Sequence, residues 1–196
     1  APNGSDANLG TIDSPKRTAG GLVDKLKAGD TVYFRGGTYN GIMVLQLKAG
    51  TAEKPITIRN YQNEKVVLTS DHADYIIYLG HCQYINIEGL TFAPNASQNG
   101  ERGVAMYIDN HTASYQQTTN FKVTGCRFEN CGTGIAVRDL VNIKFGDFEI
   151  SNNVIVSKNG WGLYFQEVAE KEGCYGKIFN NVIYGASHTI QLWGEN

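Results

Sequence analysis

The sequence is poor in charged residues and has no large excess of either sign. Only 18% of its 196 residues are charged, and 17 Lys and Arg against 19 Asp and Glu give a formal net charge of −2. A protein that binds nucleic acid generally needs a basic face to neutralise phosphates. We therefore expect no nucleic-acid partner.

Long hydrophobic runs are also missing. A membrane-spanning helix needs roughly 20 consecutive apolar residues, and no segment approaches that length. We therefore expect no insertion into a membrane. The sequence begins Ala1-Pro2-Asn3 without Met, as a processed and exported chain does, and we expect the protein to be secreted and extracellular.

The four cysteines do not form a metal-binding pattern such as Cys-x-x-Cys, which argues against a zinc site. Cys126 is predicted to be a small core residue, because free cysteine is among the most buried residue types. A disulfide between Cys126 and Cys131 is left open by the sequence.

Proline is rare at 4 residues whereas glycine is abundant at 23, as in chains of many short strands joined by turns. A short apolar unit of the type Ile-x-Val recurs along the chain. Its copies begin 29, 29, 28 and 27 residues apart, at Ile77, Met106, Ile135, Leu163 and Ile190. A fixed period of about 20–50 residues indicates a solenoid, in which each unit buries its apolar face against the next.

A second pattern marks a corner in each unit. Its first residues are Ile87, Val123, Ile150 and Ile178, and the residue three places later is Leu90, Cys126, Asn153 and Asn181 in turn. An inward Asn is tolerated only when its amide bonds to turn backbone and to its neighbour along the axis. The sequence therefore predicts an all-β fold, a right-handed parallel β-helix solenoid with a short asparagine ladder.

The N-terminal part is predicted to cap this solenoid. Residues Thr18–Lys27 carry apolar side chains at helical spacing and Gly29-Asp30 ends the pattern, so we expect a short α-helical cap. The prediction is one domain over residues 1–196, with a cap region at 1–40 and rungs at 41–196. The sequence ends directly after a core strand. Either rungs are missing at that end, or it self-associates with another chain.

Three segments resemble a known superfamily of proteins. They are residues 3–11 (NGSDANLGT), residues 27–33 (KAGDTVY) with Gly37-Thr38-Tyr39, and residues 50–58 (GTAEKPITI). The chain resembles secreted right-handed parallel β-helix proteins of the pectate-lyase-like superfamily, including polysaccharide lyases that cleave pectate, alginate or dermatan. The resemblance implies that the Ile-x-Val strands form the sheet that carries the substrate groove in the lyases. These segments are caps, turns and core, so the resemblance is specific for fold and export rather than for activity.

Two columns of side chains should point outward from this sheet, because strand side chains alternate between its faces. The first column is Tyr78, Tyr107, Ala136, Tyr164 and Gln191, and the second is Gly80, Asp109, Arg138, Gln166 and Trp193. Aromatic rings beside hydrogen-bonding groups suit sugars, whose rings have apolar faces and polar rims. The alternative is an ordinary tyrosine stack, which any sheet favours. We expect an acidic polysaccharide to contact Tyr78, Tyr107, Tyr164, Gln166, His188 and Trp193.

The resemblance also implies a chemistry, β-elimination on a uronate. This reaction needs a cation beside the carboxylate and a base that removes the adjacent proton. Arg138 and Lys158 are the predicted catalytic residues, and Asp109, Asp139 and Glu167 are the predicted ligands of a Ca²⁺ ion. Simpler roles are a cross-strand ion pair for Arg138 with Asp109, and a solvated turn position for Lys158.

Three functions follow from these observations. The first is an extracellular polysaccharide lyase, or a related uronate-modifying enzyme such as an epimerase. The second is a non-catalytic carbohydrate-binding or adhesion β-helix. The third is a structural subunit that stacks through its open end.

Overall fold

The chain folds into a parallel β-solenoid, whose described residues form three sheets of six strands each. The computed structural model describes residues 1–71, 75–94, 103–109, 118–138, 147–166 and 176–193. Each rung contributes one strand to each sheet, and every strand pairs in parallel with the equivalent strand of the next rung. Within the described residues no helix is long and apolar enough to cross a bilayer.

The strands of the three sheets follow one another along the chain. Sheet A consists of β1 (Thr31–Phe34), β4 (Ile56–Asn60), β7 (Ile85–Glu88), β10 (Phe121–Thr124), β13 (Phe148–Ser151) and β16 (Gly176–Phe179). Sheet B consists of β2 (Gly37–Asn40), β5 (Val66–Thr69), β8 (Thr91–Phe92), β11 (Arg127–Cys131), β14 (Val154–Ser157) and β17 (Val182–Tyr184). Sheet C, the predicted groove sheet, consists of β3 (Met43–Gln46), β6 (Tyr75–Gly80), β9 (Val104–Asp109), β12 (Thr133–Arg138), β15 (Trp161–Gln166) and β18 (His188–Trp193).

The strand register confirms the repeat found in the sequence. The Ile-x-Val positions pair in order across sheet C, as Met43, Ile77, Met106, Ile135, Leu163 and Ile190. The corner positions pair in the same way across sheet A, as Ile58, Ile87, Val123, Ile150 and Ile178. The fold class is therefore as predicted.

The predicted asparagine ladder is present at the corner between sheets A and B. The Asn153 side chain is almost fully buried. Its Oδ1 accepts the backbone N–H of Cys126 at 2.9 Å, and its Nδ2 donates to the carbonyl of Val123 at 3.0 Å and to Oδ1 of Asn181 at 2.9 Å. Asn181 in turn donates to the carbonyl of Ile150 at 2.8 Å. The buried amides thus satisfy turn backbone that the parallel ladders leave unpaired.

Cys126 takes the ladder position on the preceding rung, as expected for a small core residue. Its thiol is buried, and burial raises its pKa to about 12. Cys82, Cys126 and Cys131 are free thiols, so the disulfide between Cys126 and Cys131 that the sequence left open is not formed. Cys174 lies outside the described residues.

Strict alternation of side chains fails at the start of the inner sheet C strands. Ile76 and Ile77 are both fully buried, as are Ala105 and Met106 on the next rung. Gly162 occupies the same position, where a Cβ atom would lie 2.3 Å from Cγ2 of Ile183. The corner between sheets B and C therefore turns two consecutive residues inward on these rungs, and at Gly162 it leaves no room for a side chain.

The N-terminal cap contains less helix than the sequence predicted. Only Gly20–Val23 is helical, against the predicted Thr18–Lys27, and no side chain caps its N-terminus. Two glycines at its start disfavour a longer helix. Strands β1 and β2 pair with β4 and β5, so regular rungs begin at Thr31, inside the predicted cap region.

Apolar side chains of the last described rung are exposed. They are Phe179, Val182, Tyr184, Ile190, Leu192 and Trp193. The sequence predicted an uncovered apolar rung at this end, and its two explanations, missing rungs or self-association, both stay predictions.

Candidate functional site

The outward face of sheet C aligns the two predicted columns of side chains. Register places Tyr78, Tyr107, Ala136, Tyr164 and Gln191 in one row, and Gly80, Asp109, Arg138, Gln166 and Trp193 in the next. The second row lies at the C-terminal ends of the strands. Neighbouring rungs are about 4.8 Å apart, so the rows form one continuous surface along the solenoid axis.

Three tyrosines make a stack on the first rungs of this face. The ring centroids of Tyr78 and Tyr107 are 5.8 Å apart with nearly parallel planes, and Tyr75 lies 5.4 Å from Tyr78 and 6.2 Å from Tyr107. The stack buries much of each ring. Burial raises the pKa of both the Tyr78 and the Tyr107 phenol. The stack therefore offers neutral hydroxyl groups at neutral pH.

The Tyr78 side chain folds over Gly80 to reach the next rung. A Cβ atom at Gly80 would lie 2.5 Å from Cε1 and 2.8 Å from Oη of Tyr78. The Tyr78 hydroxyl donates to Oδ2 of Asp109 at 2.9 Å. Because Gly80 has no side chain, the Tyr78 ring can take this position.

Arg138 is held in place by two neighbours. Its Nε donates to Oε1 of Gln166 at 2.5 Å and its Nη1 donates to the hydroxyl of Tyr107 at 3.2 Å. The guanidinium carbon lies 5.8 Å from the centroid of the Tyr107 ring, within the range of a cation–π contact. A guanidinium has five N–H donors, so these two bonds orient the group and leave capacity to bind a carboxylate.

The predicted Ca²⁺ ligands are not assembled within the described part of the chain. Asp109 is 5% exposed and accepts the hydrogen bond from Tyr78. No cluster of three or more His, Cys, Asp or Glu side chains occurs among the described residues. Asp139 and Glu167 lie outside them. The donor set needed for Ca²⁺, six or more oxygens, is thus not shown, and calcium stays a prediction.

The structure separates the two predicted catalytic residues. Arg138 pairs with Gln166 at the end of β15, whereas Lys158 precedes β15 and is exposed. The five residue steps from Trp161 to Gln166 alone span about 16 Å at the usual rise of a strand. Lys158 and Arg138 therefore lie at opposite edges of sheet C and cannot contact the same sugar ring.

His188 lies at the same edge as Lys158, because it pairs with Trp161 at the start of β15. It is exposed, and its Nδ1 lies 3.2 Å from Oγ of Ser187. Trp161 stacks on Tyr164 with centroids 4.7 Å apart. The predicted contact residues thus divide into an arginine edge and a tryptophan edge. Gln166 and Trp193 lie at the arginine edge. Tyr78, Tyr107 and Tyr164 share the row between the edges, and the hydroxyls of Tyr78 and Tyr107 reach Asp109 and Arg138.

Sequence reasoning missed Tyr75 and Trp161. Strict alternation from Ile77 and Leu163 places both residues inward, but two consecutive inward residues at the corner turn them outward. The signal that could have found them is a small residue directly after this position. Gly162 follows Trp161, and Ala105 follows Val104, which pairs with Tyr75. Small residues there indicate crowding inside the corner.

A protein-family model matches most of the chain. The model of the Pel9A-like right-handed β-helix region matches residues 1–157. The chain belongs to the Pel9A-like β-helix family. The superfamily resemblance in the sequence is confirmed, and the matched segment of the Pel9A-like region includes Tyr78, Asp109 and Arg138.

Curated relatives of this Pel9A-like chain are longer proteins. The uncharacterized protein YwoF of Bacillus subtilis is 34% identical over an alignment of 137 residues that covers 61% of this chain and 29% of YwoF. Pectate lyase PEL9 of Emericella nidulans is 42% identical over 72 residues, which are 36% of this chain and 18% of the enzyme. The chain thus spans less than a third of the length of either relative.

Solved structures of lyases overlay on most of the Pel9A-like chain. A rhamnogalacturonan lyase has a TM-score of 0.45 at 16% identity, covering 97% of this chain and 66% of the other. Pectate lyase Pel9A has a TM-score of 0.44 at 12% identity, covering 100% and 77%. An alginate lyase from a Paenibacillus species has a TM-score of 0.36 at 15% identity, covering 88% and 95%. At these TM-scores the overlays carry no argument about activity.

Proposed function

We propose that this chain is part of a secreted polysaccharide lyase that cleaves an acidic, uronate-containing polymer by β-elimination. Membership of the Pel9A-like family supports a carbohydrate substrate, because the relative PEL9 is named a pectate lyase. The face of sheet C supports an acidic one. The observation that supports the proposal most is Arg138, a cation that Tyr107 and Gln166 hold in place on an aromatic surface.

In this proposal the polymer lies along sheet C and Arg138 binds a uronate carboxylate. The fixed guanidinium loses little freedom on binding, because Gln166 and Tyr107 already hold it. Pairing with the carboxylate withdraws charge from the adjacent carbon and makes its proton easier to remove. A base takes that proton, and the electron pair it leaves forms the carbon–carbon double bond of the product. The bond to the leaving oxygen breaks, and that oxygen takes up a proton from an acid or from water.

The separation of the two edges gives each predicted residue its own role. Arg138 is proposed as the group that neutralises the carboxylate at the reacting sugar. Lys158 and His188, at the opposite edge, are proposed as contacts with a different part of the polymer. Trp161, which stacks on Tyr164, presents aromatic surface to sugar rings. The predicted contact Tyr164 is itself buried, so its role is to support Trp161 rather than to contact the polymer.

The test is the ultraviolet absorbance of unsaturated product, measured with the full-length protein on pectate, alginate and glycosaminoglycans. Arg138→Ala should weaken binding about ten- to hundred-fold, because a hydrogen bond to a charged group contributes about 1.5–3 kcal/mol. Lys158→Ala removes only the proposed contact at the other edge, so it should raise KM and leave kcat unchanged. Full activity of Arg138→Ala would refute the assignment.

A chelator arm of the same assay tests calcium. Loss of product on chelation, restored by added Ca²⁺, would support a metal ion held with Asp109, Asp139 or Glu167. Unchanged activity would remove calcium from the proposal.

A binding protein without catalysis is the second candidate. The observation that favours it is the distance between Arg138 and Lys158, which keeps the two predicted catalytic cations from meeting at one sugar. Retardation of the protein in gels that contain a uronate polymer, with no unsaturated product, would favour binding alone.

A further inference from the structure

A second groove runs along the outer face of sheet A, away from the sheet C site. It encloses about 570 Å³ and is lined by residues of five consecutive rungs, from Pro55 to Lys177. Five rungs at about 4.8 Å spacing give a length of about 19 Å along the solenoid axis. A groove of this shape suits a linear chain rather than a compact molecule.

The floor of the groove is a polar row in strict register. Asn86 pairs with Lys122, Lys122 with Glu149, and Glu149 with Lys177. The row beside it contains Tyr84, Asn120 and Asp147. Amide, ammonium and carboxylate groups therefore face a bound chain at each rung, and all of them can exchange hydrogen bonds with hydroxyl groups.

Charges in the groove balance one another. Lys122 and Lys177 supply two positive charges, and Asp147 and Glu149 supply two negative ones. Nζ of Lys122 lies 3.9 Å from Oε2 of Glu149. A polyanion would gain attraction from one sign and repulsion from the other, so the charge pattern favours an uncharged ligand.

Tyr84 adds an aromatic ring at a position where the backbone does not require one. Its φ is +53°, in the left-handed region that a bulky residue rarely adopts, and Asn120 has φ +55° at the equivalent place on the next rung. Asn occupies left-handed positions at six places in the described chain, because its short side chain tolerates that conformation. At Tyr84 the groove therefore carries an aromatic ring on backbone that asparagine adopts more readily.

We propose that the sheet A groove binds a neutral polysaccharide chain along the solenoid axis. Tyr84 stacks on the apolar face of a sugar ring, and Asn86, Asn120 and the paired Lys122 and Glu149 bond to its hydroxyls. A peptide is a poorer occupant, since β7, β10 and β13 are paired on both sides and offer no free edge for strand addition. This inference goes beyond the proposed lyase, since it concerns a different sheet and a different ligand class.

The experiment is affinity electrophoresis in gels containing soluble galactan, arabinan, galactomannan or mixed-linkage glucan. We expect at least one neutral polymer to retard the wild-type chain, with little change when salt is raised. Tyr84→Asn should bind at least about ten-fold more weakly. Its thermal midpoint should be unchanged or higher, because Asn fits the left-handed backbone.

Two matched variants separate this groove from the rest of the surface. Tyr33→Asn removes an exposed tyrosine outside the groove, and Arg138→Ala removes the cation of sheet C, so both should keep wild-type retardation in neutral gels. Absence of retardation by every neutral polymer would overturn the inference, and so would full retention by Tyr84→Asn. Neither result bears on cleavage of uronate polymers, so the proposed lyase activity is tested independently of this inference.

Discussion

Replacing Asn153 by Leu tests the asparagine ladder as a source of stability. The Asn153 amide bonds three partners, two of which, the N–H of Cys126 and the carbonyl of Val123, are backbone groups inside the corner. Leucine cannot bond either of them. Leu90 occupies the equivalent corner on an earlier rung, so the change should be accommodated sterically.

The size of the effect follows from the two orphaned groups. Each buried and unsatisfied polar group costs about 1–3 kcal/mol, which gives about 2–6 kcal/mol for the pair. Burial of the apolar leucine side chain returns about 1.5–3 kcal/mol. From the midpoints of these ranges, about 4 and about 2 kcal/mol, we expect a net loss of about 2 kcal/mol in the free energy of unfolding.

Urea denaturation followed by circular dichroism measures this loss. Asn40→Leu is the control, because Asn40 is exposed and bonds only Asp71 among described contacts, and it should change stability by less than about 0.5 kcal/mol. Asn181→Leu should fall between them, since Asn181 is half-buried and water can replace part of what it loses. A loss below about 0.5 kcal/mol for Asn153→Leu, with an unchanged m-value, would refute the reasoning.

Two further predictions concern groups that burial has altered. Stability should fall as the pH rises above about 10, the usual tyrosine pKa. The reason is that Tyr78 and Tyr107 keep their protons in the folded chain while the unfolded chain loses them. Thermal midpoints measured across that pH range check this, and Tyr78→Phe should make the midpoint depend less steeply on pH. Cys126→Asn should extend the ladder toward the carbonyl of Ile87, which the Cys126 thiol now approaches at 3.7 Å, and should leave the urea midpoint unchanged or raise it. A lower midpoint would show that the corner has no room for the amide.

The repeat could be read from sequence because burial fixes residue type at a constant spacing. Ile77, Met106 and Ile135 are each fully buried in the same row, and only apolar side chains satisfy such a position. Asn153 was recognisable for the complementary reason, since a polar residue in that pattern needs partners that only a ladder supplies. The strand register, the core residues and the corner could therefore be predicted from periodicity.

The candidate site was less predictable because it depends on how side chains bend. Periodicity placed Tyr78 and Asp109 on one face, but their hydrogen bond exists because Gly80 leaves room for the ring. It likewise placed Lys158 near sheet C without showing that it lies at the edge opposite Arg138. The helix over Thr18–Lys27 failed for a third reason, since its apolar spacing could not offset two glycines at its start.

A solenoid lets one rigid chain carry two recognition surfaces that do not share residues. Sheet A and sheet C are built from different strands of every rung, and each presents side chains at the same axial spacing. Substitutions on one face therefore leave the other in place, because separated residues without shared partners act independently. The two faces differ in the charged groups that they present. Arg138 gives sheet C a fixed cation that suits the proposed acidic polymer, whereas the paired Lys122 and Glu149 give sheet A charges of opposite sign that suit the proposed neutral one. If both proposals hold, the two polymers run along the common axis of the solenoid on different faces.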